Sequence, residues 1–72
     1  MKSALQKVVD VKVSQLFEEG VSAYSRGHFE RAARDWRTVL SLEPNHQQAK
    51  ENLDRAEKVL EKLETLRLKQ GS

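Results

Sequence analysis

The sequence predicts an all-α domain of three helices, and three observations lead to that prediction. Gly27 and Pro44 are the two points at which the 72-residue chain must turn, and they leave three segments long enough for helices. In the second segment apolar residues recur every three or four positions, which is the period of a helix. The third segment is rich in strong helix formers. A chain of this length has room for one small domain.

The first helix is predicted from about Ala4 to Arg26, and Gly27 suits the left-handed residue that closes many helices. Residues 8–13 read Val-Val-Asp-Val-Lys-Val, an alternation that is also compatible with a β-strand. A lone strand without a partner cannot complete its hydrogen bonds, so helix is favoured here.

The second helix is predicted from His28 or Phe29 to Leu42, because Glu43 precedes a proline and is biased away from helical geometry. Its apolar positions are Phe29, Ala32, Ala33, Trp36, Val39 and Leu40.

The third helix is predicted from about His46 to Leu68. Asn45 is a favourable N-cap residue, and Gln48 three positions later would complete a capping box.

Composition narrows the class of protein. The 13 basic and 11 acidic residues are interspersed, so the net charge of +2 does not predict a basic patch. There is no cysteine, hence no disulfide framework, and no apolar run of about 20 residues that would insert into a membrane. A cytoplasmic location is expected unless the chain is part of a longer protein.

Seven residues form an ordered pattern over the middle of the chain: Gly20, Tyr24, Gly27, Phe29, Ala32, Trp36 and Pro44. With this pattern, residues 13–46 resemble one tetratricopeptide repeat, a helix–turn–helix of about 34 residues. Leu16, Glu19 and Ala23 depart from the usual residues of the family. The resemblance implies a non-catalytic protein-binding module in which Gly20 and Ala32 allow the helices to pack closely.

Two helical faces predict where the unit ends. In an array, one face of the first helix would pack on a preceding repeat, but here that face is polar: Gln15, Glu19, Ser22 and Arg26. The matching face of the third helix is apolar and should pack on the second helix: Ala49, Leu53, Ala56 and Leu60. Its opposite face, with Lys50, Asp54, Glu57 and Glu61, is typical of a terminal helix. The predicted organisation is one domain over residues 1–72, with an N-terminal extension at 3–12, a repeat at 13–46 and a capping helix at 45–69.

A partner-binding site is predicted on the groove-facing side of the repeat. Phe17, Val21 and Tyr24 would present apolar surface from the first helix, and Arg55 and Lys58 would add polar contacts from the third. The expected ligand is an apolar or amphipathic segment of a protein or peptide, helical or extended.

Apolar residues also continue past the repeat at both ends of the chain. A self-association site is predicted at Leu5, Val9, Val13, Leu63 and Leu66, because a two-fold homodimer could pair the two ends. Fraying of the ends and a different partner protein remain alternatives.

Other chemistry is not indicated. His28 and His46 lack neighbours at metal-ligand spacing, and neither a nucleophile motif nor a phosphate-binding loop is present, so no enzyme, metal or cofactor is expected. The alternative function is a nucleic-acid-binding helical domain that uses Arg31, Arg34 and Arg37. The intervening Glu30 and Asp35 can pair with these arginines, so no nucleic-acid partner is favoured.

Overall fold

The computed structural model describes residues 4–70 and contains three helices: α1 (Ala4–Ser25), α2 (Phe29–Leu42) and α3 (Gln47–Gln70). Within these residues there is no strand, so the prediction of an all-α fold is confirmed. The ambiguous residues 8–13 belong to α1 and are helical. The first residue of the predicted extension, residue 3, and both ends of the predicted domain 1–72 lie outside the described residues.

The turn between α1 and α2 depends on Gly27, whose φ of +84° places it in the left-handed region. The Gly27 N–H donates to the Tyr24 carbonyl at 3.0 Å, and the His28 N–H donates to the Ala23 carbonyl at 2.8 Å. These two bonds form a Schellman motif, which satisfies carbonyls left over at the end of α1. The predicted role of Gly27 is therefore confirmed.

The cap of α3 differs from the prediction. The residue that caps it is His46, whose Nδ1 accepts a hydrogen bond from the Ala49 N–H at 3.0 Å. The predicted capping box of Asn45 and Gln48 is wrong, because α3 begins at Gln47 and Asn45 lies one position too early. The His46 ring is held in place by stacking on Phe17, with ring centroids 5.2 Å apart.

Small side chains dominate the core, which lets the helices approach closely. Five of its eight buried residues are alanines: Val13, Ala23, Ala32, Ala33, Trp36, Val39, Ala49 and Ala56. Around them pack the partly buried Val9, Leu16, Phe17, Tyr24, Leu40, Leu53 and Leu60. The predicted apolar face of α3 thus does cover α2, and the polar faces predicted for α1 and α3 are exposed.

The helices α1 and α2 approach each other closely at Gly20. A Cβ atom on Gly20 would lie 2.7 Å from Cε2 and 2.9 Å from Cδ1 of Trp36. The Trp36 indole Nε1 donates a hydrogen bond to the Phe17 carbonyl at 3.3 Å. Gly20 is therefore needed because the Nε1 edge of the indole ring lies against the backbone of α1 at this point.

The three helices overlap only in the middle of the molecule. Both α1 and α3 pack on α2 and scarcely touch each other. At 1.5 Å per residue, α1 is about 33 Å long and α3 about 36 Å, whereas the molecule is 58 Å long. Because successive helices run in opposite directions, α1 projects past one end of α2 and α3 past the other. We call residues 4–12 the N-terminal overhang and residues 61–70 the C-terminal overhang.

Candidate functional site

A groove runs between α1 and α3, with α2 behind it. The groove exists because the outer two helices both pack on α2 without closing on each other. Its volume is about 250 Å³. The residues that line it come from all three helices: Val21, Tyr24, Ser25, Trp36, Asn52 and Arg55.

Aromatic rings form the floor of the groove. The Tyr24 and Trp36 ring centroids are 5.9 Å apart, and Phe29 meets Tyr24 edge-on at 5.0 Å. Trp36 is only 2% exposed and its indole N–H is already bonded to the Phe17 carbonyl. Since the rings are fixed by packing and by this hydrogen bond, the floor is rigid before any ligand arrives.

Three of the five residues predicted for partner binding lie together in this groove: Val21, Tyr24 and Arg55. The structure places the other two elsewhere. Phe17 is half-buried against the rings of Trp36 and His46. Lys58 is exposed and its Nζ lies 3.0 Å from the Asp54 carboxylate.

Sequence reasoning missed Ser25, Trp36 and Asn52 as groove residues. Asn52 lies one helical turn before Arg55 and so shares its face, a spacing that could have identified it. Ser25 lies one turn after Val21, and its hydroxyl donates to the Val21 carbonyl at 2.9 Å. Trp36 was predicted to be a core residue, which is correct for most of its ring. No feature of the sequence predicts that an edge of this ring reaches the groove.

Residues 13–46 match the family model of the tetratricopeptide repeat. These residues are a tetratricopeptide repeat. The matched range coincides with the range predicted from the Gly20–Pro44 pattern, and the α1–α2 hairpin is the helix pair of the repeat. Searches among curated proteins and among solved structures gave no match to the chain. The family generally consists of protein–protein interaction modules, which agrees with a groove formed on this hairpin.

A second, wider depression lies between the start of α2 of the repeat and the end of α3, with a volume of about 730 Å³. Arg31, Arg34 and Arg67 border it together with Glu30 and Glu64, above the apolar Leu60 and Leu63. Its charge is therefore mixed. Arg37, the third arginine of the predicted nucleic-acid face, is not among the lining residues.

The ion pairs expected along α2 are not formed. Among residues 4–70, neither Arg31–Asp35 nor Glu30–Arg34 comes within ion-pair distance. Asp35 instead turns one carboxylate oxygen, Oδ2, into the protein, where it is buried and has no hydrogen-bond partner among the described atoms. The expectation that these acidic residues neutralise the arginines by direct pairing is therefore wrong.

The predicted self-association residues fall into two groups. Leu5, Leu63 and Leu66 are exposed on the overhangs. Val9 is half-buried, and Val13 is a core residue with 4% exposure, so it offers no free surface.

Within the described range, no group of His, Cys, Asp or Glu side chains is arranged to hold a metal ion. None of the three helices there combines the length and the apolar character that crossing a bilayer requires.

Proposed function

We propose that the chain is a non-catalytic protein-interaction module that binds an apolar or amphipathic segment, helical or extended, in the groove between α1 and α3. The observation that supports this most directly is that Val21, Tyr24 and Arg55, chosen from the sequence alone, line one groove. The match of residues 13–46 to the tetratricopeptide repeat supports the same class of function.

The chemistry of the groove suggests what the segment contains. Val21 and Tyr24 offer apolar contact on one wall, and Asn52 and Arg55 offer polar contact on the other. A guanidinium binds a carboxylate through two parallel hydrogen bonds, and an amide can both donate to and accept from a peptide backbone. The best ligand is therefore a segment with a large apolar residue close to an acidic one.

The size of the groove also favours a peptide. Its volume of about 250 Å³ is below the range of roughly 300–1,000 Å³ that is usual for small-molecule sites. A groove of this size accommodates one or two side chains of a segment whose remaining length lies along the surface.

The proposal includes self-association through the two overhangs, on which Leu5, Leu63 and Leu66 are exposed.

The alternative function, nucleic-acid binding through Arg31, Arg34 and Arg37, has less support. Glu30 and Glu64 share the depression that Arg31 and Arg34 border, and a phosphate backbone would be repelled by them.

The test is a pair of matched charge insertions. Peptides would be selected from a displayed random library on the wild-type protein, and their affinity measured by isothermal titration calorimetry for Val21→Glu and Leu42→Glu. The two side chains have nearly equal exposure, 39% and 42%, but only Val21 lines the groove. We expect at least tenfold weaker binding by Val21→Glu, about 1.4 kcal/mol, and unchanged binding by Leu42→Glu.

Equal losses in both variants, or unchanged binding by a folded Val21→Glu, would contradict the groove as the site. Circular dichroism of each variant verifies the fold. Steeply salt-dependent binding of a generic DNA duplex, removed by replacing Arg31, Arg34 and Arg37 with alanine, would instead support the alternative function.

A further inference from the structure

We propose that the partner that covers the overhangs is a second copy of this chain, in a two-fold dimer that pairs each N-terminal overhang with the C-terminal overhang of the other protomer. This rests on the self-association in the proposed function and specifies its geometry.

The exposed apolar surface is concentrated on the overhangs. Among the described residues, eight large hydrophobic side chains are exposed, and six of them lie there: Leu5, Val8, Val11, Leu63, Leu66 and Leu68. Their exposure ranges from 45% to 79%. Isolated exposed leucines are ordinary on protein surfaces, but clusters of this kind mark interaction sites. The middle of the molecule has only Val21 and Leu42 in this class.

The position of the two overhangs along the molecule allows a two-fold axis to pair them. The helices α1 and α3 run in the same direction, with the overhangs at opposite ends of the 58 Å long axis. A two-fold rotation about an axis perpendicular to the long axis brings the α1 end of one protomer beside the α3 end of its partner. The same contact then forms a second time at the other end. One mode of association therefore pairs both overhangs of both copies, and the assembly is closed.

The area available matches a dimer only when both overhangs are buried. Leu68 lies about 200° around α3 from Leu66, so one contact does not cover both. At about 100 Å² of apolar surface for a fully exposed Val or Leu side chain, the other five present about 300 Å² per protomer. Since slightly more than half of a typical interface is apolar, the two protomers together would bury about 1,050 Å², which just passes the roughly 1,000 Å² expected of a biological interface. One overhang alone would supply about half of that, which is the size of a crystal-packing contact.

The flanking residues allow the contact. Lys7 and Lys12 border the strip of Val8 and Val11 on α1. The C-terminal overhang carries Glu61 and Glu64 but also three basic residues, and the N-terminal overhang carries one acidic residue between its two lysines. Each overhang therefore has a net charge of +1, so the contact would be driven by apolar burial and not by charge complementarity. Val13, predicted from the sequence to take part, instead anchors the base of the N-terminal overhang in the core of its own protomer.

The first test measures mass. Light scattering over a range of concentrations should give a dimer for the wild type. Val8→Asp and Leu66→Asp each place a charge in both copies of the contact and should weaken dimerisation by at least tenfold. Leu42→Asp, a matched control outside the overhangs, should remain dimeric. A monomeric wild type at high concentration, or loss of the dimer only in Leu42→Asp, would overturn the proposal.

The second test measures which ends meet. The chain contains no cysteine, so Val8→Cys and Leu66→Cys each introduce a single thiol at an exposed position. A short bismaleimide cross-linker should join the two variants to each other when they are mixed, and should link neither variant efficiently to itself. Efficient 8–8 or 66–66 linkage in the separate variants would overturn the pairing of unlike ends.

Failure of the proposed dimer can be distinguished from failure of the groove as the peptide-binding site. The Val8→Asp and Leu66→Asp variants leave Val21, Tyr24 and Arg55 intact, so the peptides selected on the wild type should still bind them. Peptide binding by a wild type that is monomeric would leave the groove in place and remove the dimer. A dimeric wild type that selects no peptide would do the reverse.

Discussion

The middle of this molecule and its two overhangs are built from the same helices but are stabilised differently. Every buried side chain among the described residues lies between Val13 and Ala56, where the three helices overlap. Beyond Leu60 every described side chain is exposed, and most of residues 4–12 are exposed as well. In the middle, therefore, helices are fixed by packing on α2. On the overhangs, a single helix depends on intrinsic propensity and on whatever covers it.

The difference shows that one helix can serve two purposes. The second half of α1 belongs to the repeat and carries Gly20 against Trp36. Its first half offers apolar residues to the outside. Substitutions in the two halves should consequently differ in size and in their dependence on protein concentration.

The largest loss of stability is expected from Trp36→Ala. Trp36 contacts α1, supports the groove floor and donates the hydrogen bond to Phe17. Its removal should lower the free energy of unfolding by about 3–5 kcal/mol, as for other buried aromatic residues. That is a large part of the stability of a small domain. Urea unfolding followed by circular dichroism measures it.

The control is Arg37→Ala, an exposed position on the same helix, for which a change within about 0.5 kcal/mol is expected. A similar, small effect of both substitutions would contradict the view that the middle is held by packing on this ring.

The second-largest loss of stability is expected from Gly20→Ala. The added methyl group overlaps the indole ring, and over-packing of this kind costs about 1–3 kcal/mol, from which the better helix propensity of alanine recovers up to about 1 kcal/mol. A net loss of up to about 2 kcal/mol is therefore expected in urea unfolding.

A double-mutant cycle sharpens this prediction. Trp36→Phe shortens the ring, so Gly20→Ala should be less damaging in that background. An equal loss in both backgrounds would show that the ring is not the reason for glycine at this position.

The fold could be predicted from the sequence because its strongest constraints are local. Gly27 must be left-handed to close α1, and Pro44 cannot continue α2, so the number and the limits of the helices follow from two residues. The polar and apolar faces of α3 follow from the helical period. These features need no knowledge of the neighbouring chain segments.

The groove could be predicted only in part because its members depend on the angle between α1 and α3. Val21 and Arg55 were identified from the faces of their own helices, whereas Phe17 is turned towards His46 by contacts that the sequence does not show. The cap of α3 was missed for the same reason. Histidine is an unusual cap residue, and it is suitable here because Phe17 holds its ring in place.

The third effect is expected from His46→Ala. It removes both the hydrogen bond to the Ala49 N–H and the stacking on Phe17, and should cost about 1 kcal/mol or slightly more. His46→Asn supplies a good N-cap oxygen but no ring. The difference between the two variants therefore measures the cap hydrogen bond, and the difference between His46→Asn and the wild type measures the stacking. If the two variants were as stable as the wild type, the cap would not contribute to the middle region.

The smallest effect, and the one that separates the two regions most clearly, is expected from Val11→Ala. Val11 is exposed on the N-terminal overhang, and alanine is the better helix former by about 0.5 kcal/mol. In dilute solution, where the protein is monomeric, the variant should therefore be as stable as the wild type or slightly more stable. At high concentration it should be less stable, because it contributes less apolar area to the proposed dimer. Thermal unfolding at several concentrations measures this change of sign. A difference that keeps one sign throughout would mean that the overhang is stabilised by its own helix alone.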